Sequence, residues 1–309
     1  MNIGVSSYSY SSLVRAGRMT QFEAIARTAE LGFDFIELAG LDVPAGESQL
    51  GYAARCQAEC ARVGLKVGNY TIGADFLNGS GGDLDAEVRR LCGQVDVAAA
   101  LGAPGMRHDV TSGRRGSAAI RQTGAPFLQT GAPFLQTEAP AESFDSVLSL
   151  LANGCRAVTE YAAARGIRTM SENHGYFAQD SERCEKLIIA TNHPNYGALI
   201  DIGNFLCADE NPAVAVGRMA PYAFHVHAKD FHFKSGQEPD PGEGWFPTRA
   251  RNLLRGAIIG HGVVPVRQCL QIIRASGYQG SISVEFEGME DPLSGIRISL
   301  QNLKKYLDD

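Results

Sequence analysis

Apolar residues recur along this chain in two alternating rhythms. Short apolar runs of strand length are separated by longer segments whose apolar positions fall at helical spacing. IGVSSYS (3–9) reads as a first strand, FDFIELA (33–39) as a second, LKVGNYTI (65–72) as a third and PGMRHDV (104–110) as a fourth. IRTMSEN (167–173), YGALIDI (196–202), YAFHVHA (222–228) and SISVEFE (281–287) continue the series to eight. Between them helices are expected over 20–31, 47–63, 84–101, 143–165, 181–190, 212–219 and 266–276, with a last one over 293–307. Thr20 and Glu23 form a capping-box pattern, and Gly32, Gly64, Gly102, Gly166 and Gly277 each stand where a helix should stop and a strand begin. Strict strand–helix alternation demands a parallel sheet with crossover helices. Eight units predict a closed (β/α)8 TIM barrel in the α/β class, one domain over 1–309. The absence of G-x-G-x-x-G after the first strand speaks against a dinucleotide-binding sheet.

Two segments break the rhythm. Residues 111–142 carry a tandem heptad, TGAPFLQ, at 123–129 and 130–136. Its Gly and Pro exclude a coiled coil, leaving a repeat-containing loop, a flap or an oligomer contact. Residues 230–262, rich in Gly, Pro and charge, form a lid-like loop after the seventh strand, over the face where such barrels place their active sites. They hold the only tryptophan, Trp245.

Composition changes the picture little. A net charge of −6 argues against a nucleic-acid footprint. Seven cysteines without a C-x-x-C pair fit reduced thiols, no apolar stretch is long enough to span a membrane, and MNIGVSSYSYSS has neither the basic nor the apolar region of a secretory signal. The expectation is a cytoplasmic protein that engages neither nucleic acid nor membrane.

The chemistry is at the strand ends. Glu172, Asp201, His227 and Glu285 lie toward the ends of strands five to eight, although Glu285 falls nearer the middle of its run. Neighbouring strand ends of a barrel converge, so three carboxylates and one imidazole can share an ion. With no thiolate among them, Mn²⁺, Mg²⁺, Co²⁺ or Zn²⁺ suits the set. Side chains two apart share a face, which pairs Glu172 with His174, His225 with His227, His227 with Lys229, and Glu285 with Glu287. Arg107, His108, His174, Asn204, Lys229, Trp245 and His261 are candidates for substrate contact, with Asn69 and Tyr70 at the end of the third strand behind them. Lys229 and Asp230 together are candidates for orienting His227.

The blocks FDFIEL, SENHG, LIDIGN, HVHAKD and VEFEG, with the Ser/Tyr-rich first strand, resemble the xylose isomerase-like sugar isomerase/epimerase superfamily over essentially the whole chain. That group includes ketose 3-epimerases, hydroxypyruvate isomerase, inosose dehydratases and, more distantly, abasic-site endonucleases. The resemblance implies one divalent metal, commonly Mn²⁺, on Glu172, Asp201, His227 and Glu285. It implies Glu172 and Glu285 as the acid/base pair that moves a proton next to a sugar carbonyl through an enediolate. It also implies a homodimer or homotetramer. The same site could serve a lyase or dehydratase on a keto-sugar or inosose, and a barrel that binds sugar without turnover is a further reading. Ala178, Asn204 and Phe233 stand where ketose 3-epimerases carry Glu, His and Arg for substrate hydroxyls, so the sugar pocket departs from theirs. Asn204 also replaces a histidine that the endonucleases need, and Asp230 and His232 lie too close to His227 to supply their later metal ligands.

Overall fold

The computed structural model describes residues 1–113 and 143–308; the tandem heptad lies outside them. The eight barrel strands are β1 (Ile3–Ser6), β2 (Phe35–Ala39), β3 (Lys66–Ile72), β4 (Gly105–His108), β5 (Arg168–Glu172), β6 (Tyr196–Asp201), β7 (Ala223–Ala228) and β11 (Ile282–Val284). They close in that order, every neighbouring pair parallel, with β11 meeting β1. The TIM barrel expected from the alternation is the fold observed.

The helices start and stop where side-chain chemistry dictates. A short α1 (Ser11–Arg15) precedes α2 (Gln21–Glu30), where Thr20 and Glu23 make the reciprocal capping box. Ser48, Asp83, Ser143, Asp180 and Asn211 cap α3 (Gln49–Arg62), α4 (Leu84–Leu101), α5 (Phe144–Ala163), α6 (Ser181–Thr191) and α7 (Pro212–Met219). Gly102 ends α4 in the left-handed conformation, at φ 71°. The amphipathic α8 (Val266–Ala275) and then α9 (Pro292–Asp308) complete the outer ring.

Alternation along the strands sorts side chains into the barrel interior and the layer beneath the helices. Thr169 reaches outward to Thr159 of α5, at 2.7 Å, while Glu172 points inward. The interior is layered. At the lower level the Phe35 ring occupies space left by Gly4 and Gly68, neither of which has a Cβ to meet it, and lies edge-on to His225 across the barrel, at 6.0 Å between centroids. Above it come Glu37, His225 and Ser283, and above those the strand-end carboxylates.

Two boundaries differ from the sequence reading. The eighth strand stops at Val284, so Glu285 stands just beyond its end, its N–H bonded to the Ala228 carbonyl at 3.0 Å. Segment 230–262 is not loop throughout: β8 (Asp230–Lys234), β10 (Leu253–Ala257) and the short β9 (Phe246–Pro247) form an antiparallel sheet in the order β8–β10–β9. Local apolar periodicity is weak in it: Phe231 and Leu254 are buried, but Phe233 is exposed. Its neck is closed by Asp230, whose carboxylate accepts N–H bonds from Phe231, Gly260, Gly262 and Val264 at 2.8–3.0 Å. Its far end is held by Asp209, which accepts from Thr248 Oγ1, Ala250 N–H and Asn252 Nδ2.

Because a Cβ on Gly4 would collide with the Phe35 ring, Gly4→Ala should lower unfolding stability by about 1–3 kcal/mol through overpacking. Urea denaturation followed by circular dichroism measures this; an unchanged midpoint would show that Phe35 has room to move.

Candidate metal centre

Glu172 at the end of β5, Asp201 at the end of β6, His227 in β7 and Glu285 just after β11 each place one ligand atom within 4.8 Å of the others, and all four side chains are buried. The strand register makes this so: Asp201 pairs with His227, and His227 with Ser283, two residues before Glu285.

Each side chain is held by its other atoms. Asp201 Oδ1 accepts the N–H groups of Gly203 and Asn204 at 2.9 and 3.0 Å, and the Asn173 side-chain amide bonds both backbone groups of Asp201 at 2.9 Å. That leaves Asp201 Oδ2 buried, with no hydrogen bond among the described residues and with Lys229 Nζ 3.2 Å away. His227 Nε2 lies 2.6 Å from Glu37 Oε1, so Nδ1 is turned to the cluster, also without a hydrogen bond, 3.6 Å from Glu285 Oε2 and 3.9 Å from Asp201 Oδ2. Glu172 is gripped by Arg107 Nη2 at 2.7 Å and Asn204 Nδ2 at 2.8 Å. Lys229 Nζ lies 2.7 Å from Glu285 Oε2 and 3.2 Å from Asn204 Oδ1.

Two buried atoms without hydrogen bonds among the described residues, Asp201 Oδ2 and His227 Nδ1, facing two more carboxylates, fit a divalent cation. Oxygen and nitrogen donors with no sulfur match the hard or borderline ions expected from the sequence. Glu37 with its two histidines is a second grouping of ligand-type residues. The 2.6 Å contact is the length of a charge-assisted hydrogen bond, so this grouping reads as the carboxylate that sets the His227 ring orientation.

The cluster's charges push ionisations apart. Burial, with the Glu172 and Glu285 charges behind it, raises the Asp201 carboxyl to about 6 against the pull of Lys229. Burial also opposes ionisation of Glu285, yet Lys229 and His227 together hold it well below the usual carboxylate range. Glu37 is likewise opposed by burial, but its two histidines bring it to about 2. Burial disfavours the charged form of His227, but Glu37 and Glu285 hold its pKa well above the ordinary value.

Of the expected substrate contacts, Arg107, His174, Lys229 and Trp245 line the open cleft above the cluster, together with Tyr8, Tyr70 and Glu287. His174 Nδ1 is tied to Asp109 at 3.0 Å, leaving Nε2 for a bound molecule. Trp245 belongs to the sheet insertion and carries Lys234 and Arg255 over its ring. Three expectations need correction. His108 is turned away from the cleft, because adjacent strand residues face opposite ways. With Arg107 inward, the buried His108 ring packs against Phe76 and Tyr196 under the helices, where burial lowers its pKa to about 4. His261 is exposed on the turn that returns from the insertion and does not line the cleft. Asn204 does not line it either; wedged between Glu172 and Lys229, it positions both. Of the secondary candidates, Tyr70 lines the cleft and Asn69 does not, since β3 runs on to Ile72. Asp230 fastens the insertion, and Glu37 is what orients His227.

Glu37 and Asp109 were missed. Glu37 sits inside the apolar run FIELA, two residues after Phe35 and on the same inward face, so a lone charge at a core position of a strand was the available signal. Asp109, beyond the end of β4, is two residues from Arg107 and lies 2.7 Å from it, a pairing that strand alternation allows; only the fold brings it to His174.

Residues 25–306 match the family described as xylose isomerase-like TIM barrel. The chain belongs to that family. Among solved xylose isomerase-like structures it is similar to D-allulose 3-epimerase from Methylomonas sp. (TM-score 0.69, 16% identity, covering 99% of this chain and 98% of that one). It is also similar to 3-keto-D-glucoside 4-epimerase from E. coli (TM-score 0.67, 17% identity, 99% of each chain). A family protein from Mycobacterium smegmatis, solved in complex with magnesium, aligns with a TM-score of 0.66 at 17% identity over 99% of this chain and 97% of its own. Among curated proteins it resembles inosose dehydratases: 25% identity over 159 residues with that of Lacticaseibacillus casei (51% of this chain, 53% of the relative), and 26% over 147 residues with that of Clostridium botulinum (47% and 48%). The chain spans about half the length of these curated relatives. No helix among the described residues is long and apolar enough to cross a membrane.

If Glu37 orients His227 through Nε2, Glu37→Gln should weaken Mn²⁺ binding about tenfold, the usual cost of losing such a partner. Titration calorimetry on chelator-treated protein measures it, and equal affinity would remove Glu37 from the centre.

Proposed function

We propose that this chain is a divalent-metal-dependent sugar isomerase or epimerase that removes and returns a proton on the carbon next to a carbonyl, with Glu172 and Glu285 as the acid/base pair. The observation that carries the reading is the convergence of Glu172, Asp201, His227 and Glu285, with Asp201 Oδ2 and His227 Nδ1 buried and unbonded. A divalent cation on these four side chains, Mn²⁺ in our reading, supplies Lewis-acid stabilisation of negative charge developing on the carbonyl oxygen.

The protein's own groups do the rest. Glu172 and Glu285 come from strands separated around the barrel by β6 and β7, so a bound molecule meets a carboxylate from two directions. Arg107 and Asn204 hold the Glu172 head group, which fixes its oxygens for proton transfer, and Lys229 Nζ lies 2.7 Å from Glu285 Oε2. Tyr8, His174 and Trp245 line the cleft where sugar hydroxyls and ring faces would lie. The cleft measures about 1940 Å³, above the roughly 300–1,000 Å³ of ordinary small-molecule sites. The sheet insertion, with Trp245 at the cleft, acts as the lid in this reading.

A second reading, a dehydratase on a keto-sugar or inosose, is favoured by the inosose dehydratases among the curated relatives. Its first proton transfer is the same; the β C–O bond then breaks as a C=C bond forms, and the hydroxyl leaves as water on a proton from the acid/base pair. The partner is a small sugar in either case, and a homodimer or homotetramer in the cytoplasm is the assembly we propose.

Incubating the Mn²⁺-loaded protein in D₂O with a panel of ketoses, 3-keto-sugars and inososes should place deuterium beside a carbonyl, and loss of water should identify the dehydratase. Glu172→Gln and Glu285→Gln should each cut exchange by about 10²–10⁴-fold. Chelation of the metal should abolish it and re-addition restore it. Full activity in both variants would sink the acid/base assignment.

A further inference from the structure

Lys229 is an unusual neighbour for a cation site. It follows the ligand His227 by two residues on the same inward face, and its side chain is almost fully buried. Its stem is pinned: Gly203 has no Cβ, and the Lys229 backbone oxygen and Cβ lie 3.0 and 3.1 Å from where one would be. The ammonium lies 2.7 Å from Glu285 Oε2 and 3.2 Å from Asp201 Oδ2. These are oxygens of two of the four ligand side chains. A divalent cation on Asp201 and Glu285 would share them with a buried positive charge, and like charges at such range repel strongly away from water. A second carboxylate stands behind the first: Glu287 Oε1 is buried without a hydrogen bond, 3.9 Å from the same ammonium, and lines the cleft.

We propose that Lys229 and Glu287 form a counter-ion relay that sets the affinity of the centre. The Lys229 ammonium competes with a divalent cation for Asp201 and Glu285, and Glu287 is the acceptor toward which it shifts when the cation binds. This inference rests on the metal-centre reading above but not on any particular reaction. It makes Lys229 a positioning residue, and it gives a role to a carboxylate that neither the ligand set nor the acid/base pair uses. The pair holds the centre below its maximum affinity, so that cation uptake requires the ammonium to move.

The test is a Mn²⁺ titration by calorimetry on the full chain after chelator treatment, with thermal melts before and after loading. Lys229→Met should bind Mn²⁺ about tenfold more tightly than wild type, by analogy with the size of other effects from residues around metal ligands. Its metal-stripped form should melt lower, so the gap between stripped and loaded melting temperatures widens. Lys229→Gln, which keeps a donor for Glu285, gives the same reading should the methionine variant fail to fold. Glu287→Gln should weaken binding, because the displaced ammonium loses its acceptor, and should have little effect in the Lys229→Met background, since coupled sites are non-additive. Unchanged or weaker binding by the neutral Lys229 variants overturns the relay while leaving the metal centre intact. A Glu287→Gln effect undiminished in the Lys229→Met background also overturns it. Absence of Mn²⁺ binding in wild type and variants alike overturns both the relay and the metal centre.

Discussion

Burying several carboxylates at one end of a barrel is the constraint around which the rest of this molecule is arranged. Glu37, Glu172, Asp201 and Glu285 are all withdrawn from water, and an unpaired buried charge is among the costliest features a fold can carry. Each therefore has an assigned partner: Arg107 and Asn204 for Glu172, two backbone N–H groups for Asp201, two histidines for Glu37 and Lys229 for Glu285. Asp201 Oδ2 and His227 Nδ1 remain without hydrogen bonds among the described residues, with Lys229 Nζ 3.2 Å from the carboxylate oxygen. A fold selected for stability alone would gain by replacing such a cluster with apolar side chains, so its retention points to chemistry.

The same constraint explains residues far from the cluster in sequence. Asn173 spends its amide on the Asp201 backbone and so fixes the strand end from which Asp201 projects. Asp109 shares Arg107 with Glu172 and tethers His174, so the loop after β4 is tied electrostatically to β5. The insertion after β7 is anchored at its neck by Asp230 and at its far end by Asp209, which holds a surface sheet in a fixed place beside the cleft. Acidic residues thus do two jobs here: Asp230 and Asp209 fasten the insertion, and Glu37, Glu172, Asp201 and Glu285 build the centre.

The barrel was legible because each of its units obeys a local rule. Helical periodicity, the Thr20–Glu23 cap and glycine stops such as Gly102 are short-range signals, and eight repetitions leave few alternative topologies. The convergence of Glu172, Asp201, His227 and Glu285 was legible because strand ends of a closed barrel must face one another. The extent of the eighth strand was not, because SISVEFE alternates convincingly to Glu287 and only pairing with β7 and β1 ends it at Val284. Nor was the sheet within 230–262, whose strands satisfy each other across a gap that no local period spans.

By itself the sequence determined the eight-unit barrel, the four convergent side chains and the exclusion of thiolate ligands, since these depend on residue type and on spacing within single strands. The tertiary structure alone decided which atoms of those side chains remain unused. It chose Arg107 over His108 for the interior, turned Asn204 from a substrate contact into a brace, brought Glu37 across the barrel to His227, and set Lys229 between Glu285 and Glu287. The physical reason is range. Strand periodicity reports which face a side chain takes, but hydrogen bonds and buried charge pairs act over about 3 Å between residues as distant as Glu37 and His227, 190 positions apart, and only the closed barrel supplies that proximity.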